Sequence, residues 1–232
     1  MLTGVSPLAH IVFAATTALA VWYIYRSAAA SRRVLIITLA WLALITAVGM
    51  TGFYARNESM PPNMLWLVGP PFLAIAMLLV RRDGQAFLDG LDLRTLTWLH
   101  VIRVPIELVL FWLYEAGKIP HLMTFEGRNP DILSGMTAPL VAWYAFRGAE
   151  LVRPKMLLAW NLICLALVAN IVTHGILSAP TPFQQFAFDQ PNTAVFYVPF
   201  NWLPGFLVPL VVLAHIASIR RLAVTPLTQQ IA

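Results

Sequence analysis

Residues 94–117, Arg94-Thr-Leu-Thr-Trp-Leu-His100-Val-Ile-Arg103-Val-Pro105-Ile-Glu107-Leu-Val-Leu-Phe111-Trp-Leu-Tyr114-Glu-Ala-Gly117, decide the class of the fold. The stretch is apolar over a length that crosses ~30 Å of hydrocarbon at ~1.5 Å per helical residue. Yet it carries His100, Arg103 and Glu107 in its interior, where charge is expensive. Six further stretches of comparable length and character surround it, at about 7–25, 34–55, 63–80, 131–147, 156–178 and 198–219. The expectation is an all-α integral membrane protein: one domain over 1–232, built as a bundle of seven transmembrane helices.

Composition points the same way. Hydrophobic residues make up 59% and charged residues 11%, against roughly 25% charged in soluble domains. A soluble fold of this length has no interior large enough for so much apolar surface, so lipid must solvate part of it. The net charge of +5 would suggest nucleic acid in a soluble protein. Here the basic residues sit in short connections beside apolar spans, so anionic lipid headgroups are the expected partner and nucleic acid is not. Cys164 is the single cysteine and lies in an apolar run. It reads as a small buried hydrophobe, with no disulfide framework and no cysteine-based metal site.

The basic residues also orient the bundle. Arg26, Arg32, Arg33, Arg81, Arg82, Arg94, Arg147, Arg153, Lys155, Arg220 and Arg221 fall in alternate connections, whereas the opposite ones hold Arg56, Lys118 and Arg128. That asymmetry places the N-terminus outside and the C-terminus in the cytoplasm, in an expected bacterial inner membrane. The first span resembles a signal peptide through Ala28-Ala29-Ala30, but it lacks a basic leader and Arg26 interrupts it, so an uncleaved anchor is expected. The one long outer connection, 179–196, contains Phe183, Phe186, Phe188 and Phe196. It is expected to lie on the membrane surface or to fold over the helix ends as a lid.

Ionisable groups inside the apolar stretches carry the functional evidence, because a mid-bilayer charge costs ~2.5–3.5 kcal/mol even on insertion scales. On a helix, His100, Arg103 and Glu107 share one face with Phe111 and Tyr114. Arg103 and Glu107, four apart, are expected to pair. Prolines 70, 71, 105, 139, 204 and 209 each remove a backbone donor and free a carbonyl that the bundle must satisfy. Kinks in four spans favour a central cavity. The outer end of the fourth span runs into a polar stretch with His121, Glu126, Arg128, Asn129 and Asp131, where Asp131 reads as the N-cap of the next helix. Asn170 and His174 in the sixth span, His10 in the first and Asn201 in the last belong to the same outer half.

Two cofactor arrangements are open. His10, His121 and His174, with nearby carboxylates, are the raw material of a metal site. His100 with His215, and His10 with His174, share depths in the bilayer as the axial pairs of a b-type dihaem protein would. Retinal is excluded: a Schiff base needs a lysine in the last span, and the chain has only Lys118 and Lys155. The expected function is binding of a small or amphiphilic ligand in a polar cavity open to the outer leaflet. His100, Arg103, Tyr114, Asn129, Asn170, His174 and Asn201 are the candidate binding residues. The enzymatic alternative uses Glu107, His121 or Glu126 as acid or base. Oligomer formation is open.

Overall fold

The structure is a computed structural model that describes residue 2, residues 4–58 and residues 60–224. Helix α1 spans Pro7–Ser27; Ser6 caps it by accepting a hydrogen bond from the Leu8 N–H at 3.2 Å, and Pro7 supplies a first position that needs no donor. Helix α2 spans Arg32–Met50. Helix α3 (Leu65–Val80) turns through 96° into α4 (Arg82–Asp89). The stretch that opened the sequence analysis is α5 (Leu93–Leu99), a 3₁₀ turn at His100–Ile102, and α6 (Arg103–Glu115). Then come α7 (Ile132–Ala145), α8 (Pro154–Leu177), a π-helical turn at Leu203–Leu207, and α9 (Val208–Val224).

Five of these stretches are long and apolar enough to cross a membrane, and a sixth is added if the bent pair α3–α4 counts as one span. The expected second span is shorter than its sequence pattern: α2 stops at Met50, and Phe53–Ala55 forms a separate 3₁₀ turn. The expected fifth span is α7, whose 14 residues extend only ~21 Å. The chain after it is not helical: Phe146–Arg147 pairs antiparallel with Glu150–Leu151. The helical class holds, with this small hairpin as a local departure from it. The last span begins at Leu203 rather than near 198, because the residues before it form turns.

Pro105 explains the break in the central span. It has no N–H to give the Val101 carbonyl, and the helix tightens into the 3₁₀ turn just before it. Pro209 acts similarly on α9. The Gly205 carbonyl, four residues earlier, instead accepts the Trp41 indole N–H at 2.7 Å. A close approach accompanies that bond. A Cβ on Gly205 would lie 2.6 Å from Leu67 Cδ1 and 3.0 Å from Ile45 Cδ1, so α2, α3 and the π-helical turn meet there.

The connections gather at two ends. At one, the Asp92 N–H donates to Ser27 O, Arg94 to Gly148 O, Arg220 to Asp89 and Arg221 to Leu91 O. This end collects the arginine-rich connections. At the other, Asn170 donates to Arg128 O, and Gln190 to the carbonyls of Tyr114 and Ile119. The Thr193 amide and hydroxyl both donate to Lys118 O. The long connection 179–196 thus folds over the ends of α6 and α8. Within the bundle, the broken central span and α9 are the most buried elements, and α2 stands at the edge.

Candidate functional site

The break at Pro105 places Arg103 at the first residue of α6, facing α7. Gly135 brings the two helices together: a Cβ there would lie 2.8 Å from Val104 Cγ2 and 2.9 Å from the Val104 nitrogen. This approach delivers Asp131 to Arg103, with Oδ2 3.2 Å from Nε and side-chain exposures of 9% and 2%. The expected Arg103–Glu107 pair is therefore replaced by an Arg103–Asp131 pair. Asp131 stands at the N-cap position of α7, as its sequence reading has it, but its side chain makes no capping hydrogen bond and turns to Arg103 instead. The ion pair is close but misaligned. None of the three guanidinium nitrogens reaches an acceptor with hydrogen-bond geometry. Arginine carries five N–H donors, so its side-chain donors are not consumed by the protein.

Glu107 lies one turn further along α6, also buried. Its carboxylate accepts from the Asn129 amide at 2.7 Å (Oε1) and 2.8 Å (Oε2). The same amide nitrogen lies 3.1 Å from Met123 O, and Asn129 Oδ1 accepts from the Asp131 N–H at 3.2 Å. Asn129 thus ties the 116–130 connection to the Glu107 carboxyl group and to the backbone at the start of α7. One amide group, with two hydrogens for three acceptors, is the hydrogen-bonding support of this buried carboxyl group.

Arg103, Glu107 and Asp131 line an internal cavity of about 100 Å³. Its other walls are apolar: Leu67, Val68 and Phe72 of α3, Val168 and Val172 of α8, Leu207 and Val211 of the last span. Met123, Asn192, Val195 and Phe196, from the connections that follow α6 and α8, close it at that end. Asn192 Oδ1 is buried there without a partner, while its amide donates to Gly175 O at 3.0 Å. The rim is partly open at Phe72 and at Ile176, which is 36% exposed.

A second buried cluster sits next to the first. His100 and His215 stack with ring centroids 4.0 Å apart and planes 16° apart, and both are fully buried. Their shared depth was legible in the sequence, but the haem geometry does not follow from it. Two axial imidazoles must face each other across a macrocycle, and these rings occupy that space themselves. His215 Nδ1 is 2.8 Å from Asn161 Oδ1, and Trp160 packs edge-on against His100 at 5.3 Å.

The remaining sequence candidates lie elsewhere. His10 contacts the Ser6 carbonyl and packs against Phe200, whereas His174 contacts the Asn170 carbonyl and packs against Phe186. They form no axial pair for a haem. His121 is exposed and packs against Tyr114 at 5.1 Å, and Glu126 is exposed. Neither lines the cavity, so the acid–base candidates reduce to Glu107. Among the described residues no group of three or more His, Cys, Asp or Glu side chains could hold a metal ion; His10, His121 and His174 are not assembled as a ligand set. Asn170 and Asn201 serve the backbone, donating to Arg128 O and Ile45 O at 2.8 Å each. Three residues of these clusters were missed: Asp131 as an ion-pair partner, Asn161 and Asn192. Asn161 had a signal, being an amide inside an apolar run.

Every residue of the cavity falls between Met64 and Val211. No curated protein and no solved structure matches the chain. Residues 60–223, more than half of its length, match the family model described as a domain of unknown function (DUF8737), and the chain belongs to that family.

Proposed function

We propose that this protein is a seven-pass membrane protein, N-terminus outside, that binds a compact amphiphilic anion in the cavity between α3, α6, α8 and α9. One observation carries the reading: a buried guanidinium lines a cavity whose walls are apolar apart from Glu107, Asp131 and Asn192, and its donors find no acceptor with hydrogen-bond geometry in the protein. Buried polar groups are ordinarily satisfied, so an unsatisfied cation at a cavity wall is arranged for a ligand acceptor. A carboxylate fits the guanidinium fork, and the apolar walls fit a short hydrocarbon tail. The cavity volume of about 100 Å³ is well under the ~300–1,000 Å³ of drug-sized sites, which favours a short chain. Asp131 offsets the charge of Arg103 when the ligand is absent. The outer connections form the roof and the partly open rim lies near the outer end of α8, so the ligand enters from the outer leaflet. The seven passes rest on the connections, which collect alternately at two ends, and the orientation rests on the arginines gathered at one of them.

Short-chain carboxylates from butyrate to octanoate test the reading as stabilisers of the detergent-solubilised protein, since a ligand that binds the folded state raises its unfolding temperature. One or more members of the series should stabilise the wild type. The Arg103→Gln/Asp131→Asn double variant, which leaves neither member of the pair charged, should not respond. A wild type indifferent to the whole series, or a double variant that responds equally, would overturn the proposal.

A further inference from the structure

A second, larger space lies on the other side of α3 and α9. It is a groove of about 1220 Å³ between α2 and α3, backed by Gly205, Phe206, Pro209 and Leu210. None of its lining residues belongs to the cavity beside Arg103. Its existence follows from α2, which packs along α1 and is tied to Gly205, Asn201 and Trp202 through Trp41, Ile45 and Thr46, leaving open space toward α3 on the Arg33 side of Trp41.

The groove is charged at one end alone. Val34, Ile37 and Trp41 of α2 face Pro70, Ala74 and Ile75 of α3 along its shaft. The charged lining residues, Arg33, Arg81 and Asp83, all sit at the end where the arginine-rich connections gather. Asp83 engages Arg81 through Nε at 3.1 Å and Nη2 at 3.2 Å. Arg33 has no such carboxylate, and Arg32 and Arg82 are exposed beside the groove. Four arginines against one aspartate leave the mouth strongly basic. Arg33 to Trp41 and Pro70 to Arg81 both measure about 12–16 Å along their helices. That is one leaflet's share of the ~30 Å hydrocarbon core. The volume exceeds the ~300–1,000 Å³ of drug-sized sites.

From this polarity, length and charge we infer that the groove is a binding site for an anionic diacyl glycerophospholipid of the cytoplasmic leaflet. The acyl chains lie between α2 and α3, and the phosphate meets Arg33 and the free face of Arg81. The phosphate takes bidentate N–H donors, and the chains cover apolar wall that the open space between α2 and α3 leaves bare.

The test is native mass spectrometry of the full chain in mild detergent, titrated with phosphatidylglycerol or phosphatidylcholine. Wild type should retain phosphatidylglycerol in clear preference to phosphatidylcholine. Arg33→Gln/Arg81→Gln should weaken phosphatidylglycerol roughly 25-fold, at about a fivefold loss per arginine near the headgroup region. Arg147→Gln, at the same end but outside the groove, should leave the preference intact. Ala74→Phe fills the shaft while leaving every charge in place, and should reduce retention of both lipids; it decides the matter if the arginine variant fails to fold. Equal retention of the two lipids by wild type, an equal loss in Arg147→Gln, or undiminished retention in Ala74→Phe would overturn the inference.

Discussion

Arg103→Met removes the cation from a pair in which both partners are almost entirely buried. Asp131, 3.2 Å away, then loses its counter-charge, and Glu107 on the same cavity wall faces a second carboxylate instead of a guanidinium. Removing one member of a buried pair costs about 3–5 kcal/mol, because the other charge stays buried without compensation. At about 2–4 °C per kcal/mol for a chain of this size, the unfolding temperature should fall by about 6–20 °C. Asp131→Asn should cost less, since Glu107 remains to offset Arg103. The decisive measurement is the double-mutant cycle. Arg103→Met/Asp131→Asn should be no less stable than Arg103→Met alone, giving a coupling of about 2 kcal/mol or more. Heating in mild detergent, followed by fluorescence-detected size-exclusion chromatography of the surviving folded fraction, reads all four proteins. Costs that add to within about 0.5 kcal/mol would show that the two side chains do not interact energetically, and the pair would be refuted.

Three further outcomes are expected. Trp41→Phe leaves the Gly205 carbonyl without its indole donor and should cost about 1–3 kcal/mol; Pro209→Ala, which returns a backbone N–H within reach of that carbonyl, should recover part of the loss in the same heating assay. Gly135→Ala sets a Cβ against the Val104 backbone, where no side chain can move aside, and should cost about 1–3 kcal/mol through separation of α6 and α7; stability equal to wild type would contradict the close approach. Cysteines replacing the exposed Glu126 and Asp189 should label from outside intact cells with a membrane-impermeant maleimide, and one replacing Glu150 should label after lysis alone; the buried Cys164 keeps the background low. The reverse pattern would invert the proposed orientation.

Local features were legible in the sequence because they depend on neighbours along the chain. Apolar length located five helices long enough to cross a membrane, or six with the bent pair, Pro105 located the break that turns Arg103 toward α7, and common depth brought His100 and His215 to one level. The partner of Arg103 was not legible. Glu107 is four residues away and Asp131 is 28 positions further along, so choosing between them requires knowing that Gly135 permits contact between α6 and α7. The haem pairs fail for a similar reason: depth constrains height in the bilayer, not the separation or facing of two rings. The outer polar stretch divided on burial alone. Asn129 turned inward onto Glu107, whereas His121 and Glu126, with the same local pattern, remained outside.

Helix α3 and the last span present Leu67, Phe72, Leu207 and Val211 to one chamber and Pro70, Ala74, Gly205 and Pro209 to the other. They form a partition one helix thick, standing between a compartment roofed by the connections after α6 and α8 and one that opens at the basic end. A wall shared in this way cannot be moved for one tenant alone. Any rotation of α3 that widens the space beside Arg103 carries the opposite face of the same helix into the groove beside Trp41. The two rooms are thereby mechanically opposed across a single movable panel.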